Sequence, residues 1–436
     1  MTEILVLGLF VLGLLSCLSF GLTVIYALVL GFFLFFGYGL YKGHSFRAMG
    51  EMALEGVKSV KYILTVFCFV GAVTGLWRAC GTIPYIVSLA VDLFDPRYMV
   101  LISFFLCSML SLLTGTALGT AATMGVICAS VANSMGISPI LTGGAVMSGC
   151  FLGDRCSPMS TSALLVSSVT KTDLYRNIGR MIKSGAVPLV LACVIYLVMG
   201  FSSHSGSAGH PVQELFAAAF VMHPTALIPA AAVVVLAFFR VKPRTAMGVS
   251  IVCALLVGAL VQKLSPAQLV YAALLGYHPE DAELAALLSG GGVRSMMSVF
   301  CIVCISSTYS GMFNGTGLLQ GFRGKITKLS RHILPFGCIF LTSIVSNMIA
   351  CSQPLAIMLT QQLCSEAEPD NEKMALALEN TAVVICPLVP WTVACSVTSA
   401  SVGTPPTIIL AACYLYLLPL WNYFVAFIKH KRSGIK

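Results

Sequence analysis

Charge is what this sequence has least of. Of 436 residues, 25 are Lys or Arg and 16 are Asp or Glu, against 58% hydrophobic residues. That is too little polar surface to cover a soluble fold of this length. Metal-ligand spacing is also missing from the seven His, so no structural or catalytic metal centre is expected. Glycines such as Gly290, Gly291 and Gly292 lack the following Lys and Ser/Thr of a phosphate-binding loop, which argues against ATP-driven work in this chain. No His falls in an apolar run near Ser157 or Cys156, so a membrane-embedded hydrolase would have a nucleophile without a base. The 17 Cys lie almost entirely inside apolar runs, as at Cys68, Cys107, Cys128 and Cys253, where a thiol packs as a small hydrophobe. The single C-x-x-C, Cys301 and Cys304, has no second pair beside it and reads as packing. No cofactor and no nucleic-acid partner are expected.

What the sequence does have is membrane-spanning apolar length. Runs near 4–20, 22–41, 58–78, 98–113, 184–202, 223–239, 246–262, 293–313, 333–350 and 405–428 approach the roughly 20 residues a span needs. The predicted fold class is an all-α polytopic membrane protein with the lipid bilayer as its partner. The first run leads directly into the second without a secretory cleavage site, so the N-terminus is expected in the bundle. Lys and Arg gather at Lys42 and Arg47, from Lys171 to Lys183, at Arg240, Lys242 and Arg244, at Arg323, Lys325, Lys328 and Arg331, and in the tail. By the positive-inside rule these segments and both termini are cytoplasmic, while 202–211, 278–283 and 365–372 lie outside.

Two regions, 114–170 and 351–403, are apolar yet interrupted by Gly, Pro, Ser and Thr. Such backbone is tolerated at membrane depth only where protein or a wet cavity surrounds it, so broken helices or re-entrant hairpins are predicted. An internal similarity links the two parts of the chain. G-V-K-S at 56–59 and G-V-R-S at 292–295 are 236 residues apart, and the same offset pairs Gly75 with Gly311, Trp77 with Phe313 and Gly81 with Gly317. The loop charges give these copies opposite orientation, the mark of an inverted-topology repeat. The halves are 1–202 and 223–436, joined by an external linker at 203–222. In that scheme 342–354 stands in for 112–120, and Pro387 for Pro158.

Each half then contributes one broken polar element to a shared site. Hydroxyls of Thr114, Thr116, Thr120, Ser157, Ser160 and Thr161, with Asn347, Asn380 and Thr381, are hard oxygen ligands suited to a dehydrated alkali cation. Only Asp154 and Glu379 are carboxylates in otherwise apolar stretches, and a charge at that depth by default marks an ion path or proton relay. A carboxylate that holds either a proton or Na⁺ is the simplest exchanger. Asp154 and Ser157 are the first candidates for a Na⁺ site; the other reading of Asp154 is an ion pair with Arg155. A passive channel remains the alternative to a carrier.

L-T-G-T-A-L-G-T-A-A-T-M-G, G-D-R-C-S-P-M-S and L-E-N-T-A-V-V-I-C-P-L-V-P-W-T, in that order, resemble the signatures of the NhaC-type Na⁺/H⁺ antiporter family, over about residues 50–425. The resemblance implies a secondary transporter of the cell inner membrane, built from inverted repeats, that exchanges Na⁺ for H⁺; some relatives exchange malate and lactate. It carries the family's acidic residues onto Asp154 and Glu379, and its Ser-Pro onto Ser157 and Pro158. Thr161 stands where the family has a second acid, and Leu164 where it has Asn. That departure keeps a small organic anion or an amino acid as an alternative cargo. A homodimer is compatible with all of this.

Overall fold

A computed structural model describes residues 2–19, 24–59, 61–93, 95–158, 160–202, 209–239, 241, 243–317, 333–350 and 352–433. With no water at membrane depth, a chain this apolar must satisfy its backbone internally, and helices do so within one segment. They are α1 (Thr2–Ser19), α2 (Val24–Tyr41), α3 (Phe46–Ser59), α4 (Lys61–Ala79), α5 (Thr82–Leu93), α6 (Met99–Thr114), α7 (Ala117–Thr120), α8 (Val126–Ser134), α9 (Pro139–Cys156), α10 (Thr161–Thr170), α11 (Leu174–Ser202), α12 (Gly209–Ala219), α13 (Ile228–Phe238), α14 (Pro243–Leu260), α15 (Pro266–Leu275), α16 (Ala282–Leu288), α17 (Gly292–Ser295) and α18 (Met297–Thr316). After the segment 318–332 come α19 (Pro335–Ala350), α20 (Gln353–Cys364), α21 (Asn371–Asn380), α22 (Ala382–Ile385), α23 (Val393–Val402) and α24 (Cys413–Ser433). A π-turn at Ala121–Gly125 joins α7 to α8. Among the described residues the only β pairing is an isolated bridge, Tyr277 to Gly290.

Helices occupy the ten apolar runs read from hydropathy, though fewer of them have the full length and composition of a span. Among the described residues three helices are long and apolar enough to cross a membrane, Pro96–Thr114, Ala117–Ser134 and Leu174–Ser202, or up to six spans if three sharply bent pairs each count as one. Hydropathy measures apolar length and is blind to reversal or bending inside a run. The runs at 98–113 and 333–350 are arms of hairpins. α6 lies parallel to α9, since a methyl on Gly149 would meet the Phe104 carbonyl and one on Gly153 would meet Ser111. The chain between them, α7 to α8, therefore returns to the face from which α6 started. α9 and α10 are one broken helix running to the opposite face, and α11 runs back beside it, with Arg155 at Ser184 and Tyr196 at Ser148.

The second interrupted region also forms a pair of helices followed by a broken helix. The Cys338 and Cys364 thiols meet, so the start of α19 lies beside the end of α20. Glu372 at the head of α21 pairs with Arg176 and Arg180 at the head of α11. This corrects the placing of 365–372 and the basic loop 171–183 on opposite sides, because the two segments share a face. Lys and Arg decide membrane orientation whereas Asp and Glu contribute little, and an acidic segment that neutralises two arginines carries no sidedness of its own. α21 runs inward to a break at Thr381, and α23 continues. α24 then returns beside α11, Asn422 reaching the Ser184 carbonyl at 3.4 Å.

Glycines set the closest helix contacts in the rest of the bundle. A methyl on Gly56 would strike the Ser307 carbonyl, and one on Gly71 the Gly292 carbonyl; Gly311 meets Met52 and Gly56, while Gly75 meets Gly292. Positions 56 and 292, 71 and 307, and 75 and 311 are each 236 apart, so the contact of Gly56 with Ser307 is reciprocated by that of Gly71 with Gly292, and that of Gly311 with Gly56 by that of Gly75 with Gly292. α2 lies parallel to α18, the Leu28 carbonyl accepting from the Tyr309 hydroxyl and Phe35 meeting Phe313 edge to face at 4.7 Å, and Lys42 pairs with Glu3 at 3.5 Å. Arg240, Lys242 and the basic cluster 323–331 fall outside the described residues.

Candidate functional site

The first break forms because Ser157 is extended (φ −88°, ψ 134°) and Pro158 has no N–H to continue α9. Ser160 restarts the helix as the N-cap of α10, accepting from the Ser162 and Ala163 amides at 3.1 and 3.3 Å. Asp154, one turn before the break, is buried. It accepts from the Ser160 and Ser162 hydroxyls, both at 3.0 Å, and from the main-chain N–H of Ala117. Ala117 opens α7, whose N-cap is Thr116, accepting from the Gly119 amide at 3.2 Å. One carboxylate thus ties α9, α10 and the hairpin tip together. Thr114 and Thr120 share a hydroxyl contact of 3.3 Å in that tip. Ser157 is buried, whereas Thr161 is exposed.

Arg155 does not pair with Asp154, contrary to the structural alternative drawn from their adjacency. Neighbouring helical residues point about 100° apart and do not face one another. The guanidinium instead reaches across the molecule. Nε donates to the Glu379 carbonyl at 3.2 Å, Nη1 to the Tyr414 hydroxyl at 3.3 Å, and Nη2 to the Met181 carbonyl at 3.2 Å, the Ser184 hydroxyl at 3.1 Å and the Asn380 side-chain oxygen. Arg155 is 0% exposed.

The second break lies on the other side of that guanidinium. α21 ends at Asn380, and Thr381 (φ −129°, ψ −79°) turns the chain, its hydroxyl bonded back to the Ala377 carbonyl at 2.7 Å. Asn347 of α19 donates to the Ser343 and Ala382 carbonyls at 2.9 and 3.1 Å, which docks the second hairpin on the second break. Thr392 then caps α23. Glu379 is 0% exposed, and neither of its carboxylate oxygens has a hydrogen-bond partner, nor has the Asn347 side-chain oxygen. A buried anion left unbonded is costly. These free atoms can only accept when the carboxyl is ionised, so they suit a cation or a proton.

The structure thus gathers Asp154, Ser160 and Thr116 at the first break, and Glu379, Asn380, Thr381 and Asn347 at the second, with Arg155 between. Thr161 points elsewhere. Ser162, the Ala117 amide, Ser184 and Tyr414 were not among the candidates. Ser162 had a signal in the Ser-x-Ser of a capped helix start. Tyr414 sits in an apolar run where only its hydroxyl, which must find a partner when buried, hinted at a role.

Comparison with known proteins gives the same direction. The profile of the Na⁺/H⁺ antiporter family matches residues 1–173 and 149–418. The chain is 26% identical over 406 residues to the Na⁺/H⁺ antiporter NhaC of Bacillus subtilis, covering 89% of each. It is also 26% identical over 406 residues to the malate-2H⁺/Na⁺-lactate antiporter of the same organism, covering 89% of this chain and 86% of that one. To the arginine/ornithine antiporter ArcD of Halobacterium salinarum it is 23% identical over 389 residues, 85% of this chain and 78% of the relative.

Proposed function

Since the chain belongs to the Na⁺/H⁺ antiporter family, we propose that it exchanges Na⁺ for H⁺ across the cell inner membrane by alternating access, with Glu379 as the carboxylate that holds one ion or the other. The observation that carries this reading is that both carboxylate oxygens of the buried Glu379 lack a hydrogen-bond partner, as does the side-chain oxygen of Asn347, whose amide docks on Ala382 just past the same break. An all-acceptor set takes a cation. It offers nothing to an organic anion, because the nitrogens of Arg155, the buried guanidinium at this site, are already engaged by protein oxygens and a thiol. Malate, lactate or amino-acid exchange, suggested by two relatives and by Thr161, is therefore the second reading. Asp154 enters as the acid that organises the first break, with Ser157 and the hairpin threonines around it.

Alternating access is supported by the two hairpins opening on opposite faces and by the reciprocal glycine contacts at an offset of 236. Reciprocity is what a two-fold relation between segments produces, and a pseudo-two-fold in the membrane plane is the inverted-repeat arrangement. The face that carries Lys171, Arg176, Arg180 and the end of α24 is taken as cytoplasmic, with both termini on it. Proteoliposomes carrying a pH-sensitive dye test the function. A Na⁺ pulse should move protons with saturation, and Glu379→Gln should abolish that movement in a protein that still folds. Wild-type exchange by Glu379→Gln would sink the assignment, and saturable exchange of malate or an amino acid without Na⁺ would favour the second reading.

A further inference from the structure

We infer that Arg155 is the positioning residue of the exchange site and that it serves Glu379, not its neighbour in sequence. The inference rests on the Na⁺/H⁺ reading above for its transport arm only. Arg155 is wholly buried, and its three nitrogens bond to oxygens of α21, α24 and α11 and to the Cys156 sulfur. Two consequences follow from that placement. Nε and Nη2 grip the last turn of α21 by the Glu379 carbonyl and the Asn380 amide oxygen, which fixes where the Glu379 side chain leaves the helix. The guanidinium charge also acts on the Glu379 carboxylate through space, while the N–H groups are spent on other atoms.

The cost of burying the carboxylate is thereby offset in part, without its oxygens being covered. A bonded ion pair would occupy the oxygens the cargo needs, and a neutral clamp would leave a buried anion with no compensation at all, a costly arrangement. Asp154 has no such need, since two hydroxyls and a main-chain N–H already satisfy it. Lysine could supply the charge but not the grip, because its three donors sit on one nitrogen and cannot span the reach of Nε and both Nη atoms.

Thermal unfolding of the purified full chain separates the two carboxylates. Arg155→Gln should lower the melting temperature. Adding Glu379→Gln should recover the part of that loss that comes from the uncompensated carboxylate, though not the part from the broken bonds to Tyr414, Met181, Ser184 and Asn380, and adding Asp154→Asn should recover none. Recovery with Asp154→Asn, or with neither, overturns the inference; if Arg155→Gln does not accumulate, the yields of the two double variants give the same answer. Arg155→Lys provides the transport arm. It should fold and exchange with a maximal rate near wild type and a KM for Na⁺ raised about tenfold, since displacing a binding group by about an ångström costs on that scale or more. An unchanged KM with a lowered rate would also overturn it. If wild-type protein moves no protons in response to Na⁺, the exchange reading fails, while the stability comparison still decides which acid Arg155 serves.

Discussion

Asp154 and Glu379 are both carboxylates in apolar surroundings, and what separates them is where their oxygens go. Asp154 spends its acceptors on Ser160, Ser162 and Ala117, so its charge holds a helix break in shape. Asp154→Asn turns an acceptor into an NH₂ facing donors, and about 1–3 kcal/mol of stability should be lost. The melting temperature checks this. Apparent Na⁺ affinity should fall far less in Asp154→Asn than in variants of Glu379 or Asn347; a hundredfold loss with an unchanged melting temperature would place the cation at Asp154 instead.

Helices here are positioned by their ends and by their glycines. At the head of α21, hydrogen bonds from Arg180 and then Arg176 hold the Glu372 carboxyl below the usual glutamate range. A folded-state pKa that is depressed stabilises the fold above the unfolded value and loses that contribution as pH falls through the lowered one. The melting temperature of wild type should therefore exceed that of Glu372→Gln at neutral pH, and the gap should close on acidification and shrink in salt, as expected of exposed pairs. A gap that widens in acid would refute the pairing. In the middle of α18, a methyl on Gly311 would strike the Met52 carbonyl, which is main chain and cannot swing aside. Gly311→Ala should cost folding yield and melting temperature severely, whereas Gly50→Ala, with open space around it, should cost neither.

At the scale of the whole molecule, the 365–372 segment shares a face with 171–183. Single cysteines at Glu368 and Lys171 should react with an impermeant maleimide from the same side of the membrane, and one at Asp281 from the other. Labelling of positions 368 and 171 from opposite sides would break the proposed arrangement of two hairpins entering from opposite faces. The basic residues decide which side is the cytoplasm, so the first two cysteines should be protected in intact cells.

The sequence by itself determined the class. A chain with 9% charge and apolar runs of membrane length can satisfy its backbone in a bilayer only as helices. Composition and local pattern also revealed the two interrupted regions, the 236-residue offset and the two acids, because Gly, Pro and buried charge announce themselves without any neighbour. Only the tertiary structure decided what those residues do. Whether an apolar run crosses or turns back depends on the helix it packs against, as α6 does on α9. Whether Arg155 pairs with Asp154 or reaches over 224 positions to Glu379 depends on helical phase and on which elements lie beside α9. The free oxygens of Glu379 are the sharpest case, since an unmet hydrogen bond is a property of the surroundings and has no trace in the residue that carries it.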